Sequence, residues 1–375
     1  MVIASVDDFE PAARRRLPNM LYQYIAGGAG GESTLRRNRR DLADFALHQR
    51  AMVGFDAADL AIETLGERLS MPIVLGPVGI AGMFARRGEV QAAQAAADAG
   101  TPFCLSSVGI CDAAEVARAA APPWFQLYLL RDRDRSASLI AQAKHAGCKV
   151  LVLTVDAAVP GVRHRDTRSG MGKPIGPRTA LDGLAHPGWL WDVWVRGRPH
   201  TLGSVSKAIQ APQPIGPAEV KRDPDWRDLE WVRGQWGGPI IVKGILHPDD
   251  ARIATRAGAN GLVVSNHGGR QLDGAPSTIA MLRPILEAVD DQADVFIDGG
   301  IRSGADVLAA VACGARACFV GRPWAFALAA GGQAGVRLML EILRRELSTV
   351  MILTGCRSIT SVGPHLLQAV PFGNP

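Results

Sequence analysis

Short apolar, β-branched runs recur along the chain: MPIVLGP at 71–77, PFCLSS at 102–107, WFQLYL at 124–129, VLVLTVD at 150–156, PIIVKG at 239–244, GLVVSN at 261–266, DVFIDGG at 294–300 and ACFVGR at 317–322. They are continuous rather than alternating, so each predicts a strand buried on both faces, as in a parallel sheet. Most of the gaps hold one amphipathic segment closed by glycine, such as GEVQAAQAAADAG, DRSASLIAQAKHAG, PDDARIATRAG or SGADVLAAVACGA. That is the pattern of a helix with its C-terminal stop. Repeated strand and helix in this order predict an α/β fold of the (β/α)8 TIM-barrel class.

Two segments break the rhythm. Residues 1–70 contain DDFEPAARRRLPNMLYQYIAGG, read as one helix, then a loop and a short apolar hairpin; together they predict an N-terminal helical cap. Residues 157–238, after the fourth strand, are rich in Pro, Gly and Arg and carry WLWDVWVRGRPH. A connection this long exceeds an ordinary strand-to-helix loop and reads as either a lid or a docking surface. The chain is then one domain, 1–375, with its barrel in 71–156 and 239–350.

A barrel gathers its chemistry where the strands end. Pro77, Ser106, Gln126 with Tyr128, Thr154 with Asp156, Lys243, His267, Asp298 and Arg322 lie at or just past those ends in chain order. After the seventh strand DGGIRSG, and after the eighth VGRPW, set glycines and an arginine ahead of a helix. Freed amides, a helix N-terminus and a guanidinium make an anion pocket, and these two loops are where barrels commonly hold phosphate. GGAGGES at 27–33 follows a helix rather than a strand, so it is read as a turn and not as a dinucleotide fingerprint.

Composition narrows the classes. With 47% hydrophobic and 21% charged residues in 375, the chain buries a large core. A net charge of +5 and a pI near 9.0 favour anionic ligands mildly, and no basic and aromatic array suggests nucleic acid. Six scattered cysteines without a CxxC pair read as buried, reduced and structural, with no metal site. The acidic start MVIASVDDFEP is unlike a signal peptide, which leads to a cytoplasmic expectation. No apolar run approaches the ~20 residues of a membrane span, so any membrane contact would be peripheral.

SNHGGRQLDG at 265–274, with FQLY, LTVD, IVKG, DGGIRSG and VGRP in this order, resembles the FMN-dependent L-2-hydroxy acid oxidases and dehydrogenases across nearly the whole chain. GPVGIAGMFARRGEVQAA, LSSVGICD, WFQLYLLRDR and HPGWLWDVWVRGRPHTLG are most similar to the membrane-associated bacterial L-lactate dehydrogenases of that family. The resemblance implies FMN in the barrel mouth. Its phosphate would sit at Gly299, Gly300, Arg302, Gly321 and Arg322, its ring at Ser106, Gln126 and Thr154, and its ribityl chain at Asp298. The Pro77, Val78 and Gly79 backbone would face N5, with Ser265 nearby and Lys243 beside N1 and O2. A unit charge pair at ~4 Å and an effective dielectric of ~20 is worth roughly 4 kcal/mol, on the order of 3 pKa units on the reduced ring.

By the same resemblance His267 is the base, Asp156 orients it, and Arg270 grips the substrate carboxylate with Arg163 and Tyr24, while Tyr128 bonds the substrate oxygen. Spacing from TVD favours Arg163 over Arg165 and Arg168; Tyr22 is expected to pack. Val108 replaces the bulky aromatic of glycolate oxidases and admits a side chain, so L-lactate fits and a larger aryl acid is not excluded. Gly79, where the oxidases tend to have Ala, points to an acceptor other than oxygen. The segment WLWDVWVRG, flanked by Arg163, Arg165, Arg168, Arg196 and Arg198, has the composition of an interfacial anchor, which suits a quinone acceptor on the inner face of the cell membrane. A lid or subunit contact is the alternative. Rival readings are an oxidase releasing peroxide, a flavin protein without catalysis, and a colourless sugar-phosphate barrel. The resemblance also implies a homotetramer.

Overall fold

The computed structural model describes residues 2–174, 176–198, 200, 203–204 and 219–368. Eight parallel strands form the centre: β1 (Ile73–Leu75), β2 (Cys104–Ser106), β3 (Trp124–Leu127), β4 (Leu151–Thr154), β5 (Ile240–Ile245), β6 (Gly261–Val264), β7 (Asp294–Asp298) and β8 (Cys318–Val320). From β2 to β8 each pairs in parallel with the next, with one register shift between Lys243 and Ile245 where β5 meets β6. β8 pairs β1, and a parallel bridge from Leu75 to Phe103 joins β1 to β2, closing the barrel. The strands are buried throughout apart from parts of β5 and β7, which is why they read as unbroken apolar runs.

The floor is aromatic. Phe296 meets Phe319 edge-on at 5.6 Å and Trp124 at 6.3 Å. Outside the strands run the glycine-stopped helices, for example Gly88–Asp98, Arg133–His145, Pro248–Arg256 and Gly304–Ala312. The last helix, Arg322–Thr354, runs a little beyond the expected limit at 350 and is broken at Gly332 (φ 61°, ψ −146°). By length and composition it passes for a membrane span, yet 56% of its apolar window is buried inside the fold.

The cap departs from the expected single helix. It forms α1 (Phe9–Arg16) and α2 (Asn19–Ala26), because Leu17, ahead of Pro18, is extended at φ −91° and ψ 142°, the conformation a following proline imposes. A third helix, α3 (Ser33–Ala43), follows the glycine turn, and Ile62–Thr64 pairs antiparallel with Glu67–Leu69 before the barrel. Tyr22 packs in the core with its hydroxyl donating to Glu10 at 3.0 Å. Among the described residues of 157–238 are the helices His164–Ser169 and Pro177–Leu184, the short helix Pro187–Trp189 running into the π-helix Leu190–Val195, and the barrel helix Trp226–Trp236. Residues 205–218 of that segment lie outside the described residues.

Candidate active site

Strand ends from the whole circle meet in one cavity. Its wall includes Tyr24, Pro77, Val78, Gly79, Ser106, Val108, Tyr128 and Thr154, together with Arg163, Lys243, His267, Arg270, Asp298, Gly299, Gly300, Arg302, Gly321 and Arg322. Three residues named from the sequence stand one layer behind it. The Gln126 side chain accepts from the Ser106 hydroxyl at 2.9 Å and donates to Thr154 at 3.0 Å. Ser265 Oγ accepts from Lys243 Nζ and from the His267 amide, both at 3.0 Å, and donates to Asp298 at 2.8 Å. Asp156 Oδ1 meets His267 Nδ1 at 2.9 Å.

His267 has φ +57° and begins a run of three left-handed residues with Gly268 and Gly269. That turn lets His267 and Arg270 face one cavity. Because Nδ1 points at a carboxylate, it carries the proton, and Nε2 is left toward the cavity, 3.5 Å from Tyr128 Oη. Burial alone would raise the Asp156 carboxyl, but His267 and Lys243 hold it below its ordinary value. Burial, reinforced by Asp156, pushes the Tyr128 phenol up, so at neutral pH it is a proton donor. Lys243 is not a lone cation: Asp298 Oδ2 lies 2.8 Å away. Burial would lower its ammonium, and Asp298 and Asp156 more than reverse this.

The arginines outnumber their carboxylates. Five cations line the cavity against one carboxylate, Asp298; from outside the wall Asp166 lies 3.9 Å from Arg163 and 4.0 Å from Arg270, and Asp7 lies 3.6 Å from Arg302, and burial taxes the charge left uncompensated. Arg302 is pushed down to about 10 by burial and by Arg39. Arg322 is held well below its usual value by burial and by Arg270 and Arg302. Their hydrogen bonds go largely to carbonyls. Arg322 donates to Ile25, Gly268 and Gly27 at 2.9, 2.9 and 2.7 Å, and Arg270 to Tyr24 and Gly27 at 2.6 and 2.8 Å, with its guanidinium 4.9 Å over the Tyr24 ring. Of the three candidate arginines after β4, Arg163 lines the cavity, whereas Arg165 pairs with Glu32 at 2.7 Å and Arg168 is exposed elsewhere.

One element of the anion pocket is corrected. The amides of Arg302, Ser303 and Gly304, at the helix start after β7, are already taken by Asp306 and Glu346. The Ser303–Asp306 capping box and Glu346 of the last helix satisfy them within the fold, so the donors left to an anion are guanidinia, the glycine turn and the helix start at Gly321. The turn 27–33 also does more than reverse the chain, since Gly27 receives both Arg270 and Arg322. Sequence reading missed this because carbonyls leave no side-chain signal. It also left Gln271 without a role, although Gln271 binds the Asp156 and Val159 carbonyls at 2.6 and 3.0 Å and Arg163 at 3.2 Å. Its place inside SNHGGRQLDG was the available clue.

Residues 13–369 match the FMN-dependent dehydrogenase family. An L-lactate dehydrogenase of Chromohalobacter salexigens is 50% identical over 375 residues, covering 98% of this chain and 96% of its own. One of Alcaligenes faecalis is 48% identical, covering 99% and 100%. A crystal structure of the monotopic membrane protein (S)-mandelate dehydrogenase superposes with a TM-score of 0.91 at 33% identity over 98% of this chain and 100% of that one. Mandelate oxidase gives 0.84 at 39%, covering 98% of each. The cavity agrees with such a ligand in one further respect: Asp298 Oδ1 is buried without a partner, an acceptor suited to a hydroxyl such as those of a ribityl chain. The chain belongs to the FMN-dependent dehydrogenase family and is a flavin enzyme of L-2-hydroxy acid oxidation.

Proposed function

We propose that the substrate is L-lactate, oxidised to pyruvate, and that the electrons pass to a membrane quinone. Support for lactate is the 48–50% identity to L-lactate dehydrogenases, against 33–39% to the mandelate enzymes. The observation that carries the chemistry is the His267–Asp156 pair, with Nε2 facing a cavity that also holds Arg163, Arg270 and Tyr128.

FMN, when bound, supplies the two-electron acceptor. The phosphate would be held by Arg302, Arg322 and the glycines at 299, 300 and 321, the ribityl hydroxyls by Asp298, and the ring by Ser106, Thr154, Lys243 and the Pro77–Gly79 backbone. Gln126 and Ser265 would act from behind by fixing Ser106, Thr154 and Lys243. The substrate carboxylate would take a bidentate bond from Arg270, aided by Arg163 and Tyr24. Tyr128 would donate to the substrate oxygen. His267 Nε2 removes a proton, and Asp156 stabilises the imidazolium while holding the tautomer. Val108 and Gly79 leave room for the substrate side chain.

Membrane docking is proposed for the segment after β4, with its contact redefined. Trp189 is buried and donates to Met83 at 2.8 Å, and Trp194 stacks on His200 at 4.8 Å. The exposed apolar side chains are instead Leu181, Leu184, Trp191 and Val195, among the exposed cations Lys173, Arg178, Arg196 and Arg198, the composition of an interfacial surface. The enzyme would then work as a homotetramer on the cytoplasmic face, with family resemblance as the support for that assembly.

The deciding experiment mixes the yellow protein anaerobically with L-lactate, D-lactate, glycolate and L-mandelate, then admits oxygen or a soluble quinone. Bleaching by L-lactate and rapid reoxidation by quinone alone is the expected result. A preference for L-mandelate would replace the substrate, and fast reoxidation by oxygen with peroxide release would make the protein an oxidase. Co-sedimentation with anionic vesicles, lost in Leu181→Ser/Leu184→Ser, checks the docking surface.

A further inference from the structure

We propose that Asn38, a cap residue outside the cavity wall, is a positioning residue that locks the loop carrying His267 and the turn Gly299–Gly300 into one unit. Asn38 sits on α3 and is 1% exposed. Its side-chain amide donates to Asn266 Oδ1 at 2.8 Å, and the Asn266 amide donates back to Asn38 Oδ1 at 2.8 Å. Main-chain partners fix the direction of both groups. Asn266 Oδ1 also accepts from the Gly269 amide at 3.0 Å, Asn266 Nδ2 also donates to the Pro276 carbonyl at 3.0 Å, and Asn38 Oδ1 also accepts from the Thr278 amide at 3.3 Å. Flipping either amide would set like atoms against one another, and a half-satisfied buried network is worse than none.

Asn266 immediately precedes His267, whose left-handed backbone is costly for a non-glycine residue and persists where its surroundings hold it. The reciprocal amide pair supplies that hold from a segment more than 220 residues away in sequence, the separation of 38 and 266 being 228. Asn38 also touches the other loop. A Cβ at Gly299 would stand 3.0 Å from Asn38 Nδ2, and one at Gly300 would stand 2.2 Å from the Asn38 carbonyl oxygen. The turn is therefore packed on Asn38 with no room for a side chain. One residue thus sets the distance between the imidazole and the glycine turn, which rests on reading His267 as the base and the turn as part of the phosphate seat.

Asn38→Asp tests this, because it keeps the size and replaces the donor with an oxygen facing Asn266 Oδ1. The readouts are kcat and KM for L-lactate per bound flavin, the primary isotope effect with 2-deuterated L-lactate, and the FMN Kd from flavin fluorescence on dilution of the holoenzyme. Expected are a kcat lower by about 10- to 100-fold, as for a small misplacement of a reacting group, a KM within about threefold, a larger isotope effect, and FMN bound about tenfold more weakly. If Asn38→Asp does not fold, Asn38→Ser, which retains a donor, carries the same readouts with a smaller loss. A variant with parental kcat per bound flavin, isotope effect and FMN Kd, whatever its melting temperature, would overturn the proposal. His267→Gln assayed alongside separates the two failures: retained turnover there removes the base assignment, while the FMN Kd of Asn38→Asp still decides the lock on the turn.

Discussion

The two ends of the barrel use the same strands differently. Phe296 and Asp298 are two residues apart on β7, while Phe319 on β8 packs on Phe296 below and borders the cavity above. The alternation of a strand turns both members of such a pair toward the interior, so height along the barrel decides which lies in the floor and which in the mouth. In the floor, Trp124, Phe296 and Phe319 meet as tilted and edge-on rings, and the Trp124 indole donates to Glu67 at 3.0 Å. In the mouth, Asp156 Oδ2 and Asp298 Oδ1 are buried without partners, buried guanidinia crowd one another, and His267 sits in a left-handed backbone. The floor is arranged for stability, whereas the mouth accepts local cost for groups aimed at a ligand.

That contrast breaks if substitutions at the two ends behave alike. His267→Gln is expected to lower kcat by about 10²- to 10⁴-fold with FMN retained and thermal unfolding unchanged, checked by steady-state assay and melting of the yellow protein. Phe296→Ala in the floor does the opposite, costing about 3–5 kcal/mol of stability by chemical denaturation while kcat per bound flavin stays within about twofold of the parent. Acid separates the ends next. Asp273, outside the cavity wall on the loop that carries His267 and Arg270, accepts from the Thr34 amide and the Ser33 hydroxyl of α3, which hold its carboxyl down at about 2. Its folded value lies below the ordinary value of about 3.9, so its stabilisation is present above that value and is lost as pH falls towards 2. Asp273→Asn should therefore release FMN more readily at neutral pH and flatten the acid dependence of release between about pH 4 and 2, followed by flavin fluorescence. The smallest effect expected is at Gly79, where an added Cβ would stand 2.9 Å from Val108 Cγ2 and 3.2 Å from the Tyr24 hydroxyl. Gly79→Ala should raise the L-lactate KM by about three- to tenfold, an overpacking cost near 1 kcal/mol, and Val108→Ala in the same chain should recover most of it.

The fold was legible because parallel strands covered on both faces have a one-dimensional pattern, and glycine stops mark the helices between them. Pro18 was equally legible and was passed over: the apolar period running through it suggested one helix where the backbone makes two. The side chains that meet in the cavity were visible for a topological reason, since a barrel brings its strand ends to one place. What escaped were relations that need three dimensions. Asp306 capping its own helix, Gln126 and Ser265 lying behind the wall, and the carbonyls of Ile25 and Gly27 receiving arginines all depend on where main chain meets main chain. The tryptophans misled for a related reason. Composition groups Trp189, Trp191 and Trp194 together, while packing exposes Trp191 and buries Trp189.

The carbonyls of the glycine turn also bear on the order in which the enzyme is made. Gly27 is joined to Arg270 across 243 residues and to Arg322 across 295, and Ile25 to Arg322 across 297. On a ribosome the N-terminal segment emerges first, and these two arginines late. The bonds to Arg322 therefore cannot form until the eighth strand and the start of the helix after it have left the exit tunnel, and contacts of such high sequence separation form slowly. A shortened or stalled chain cannot close the cavity, so no fragment ending before Arg322 can assemble the complete wall.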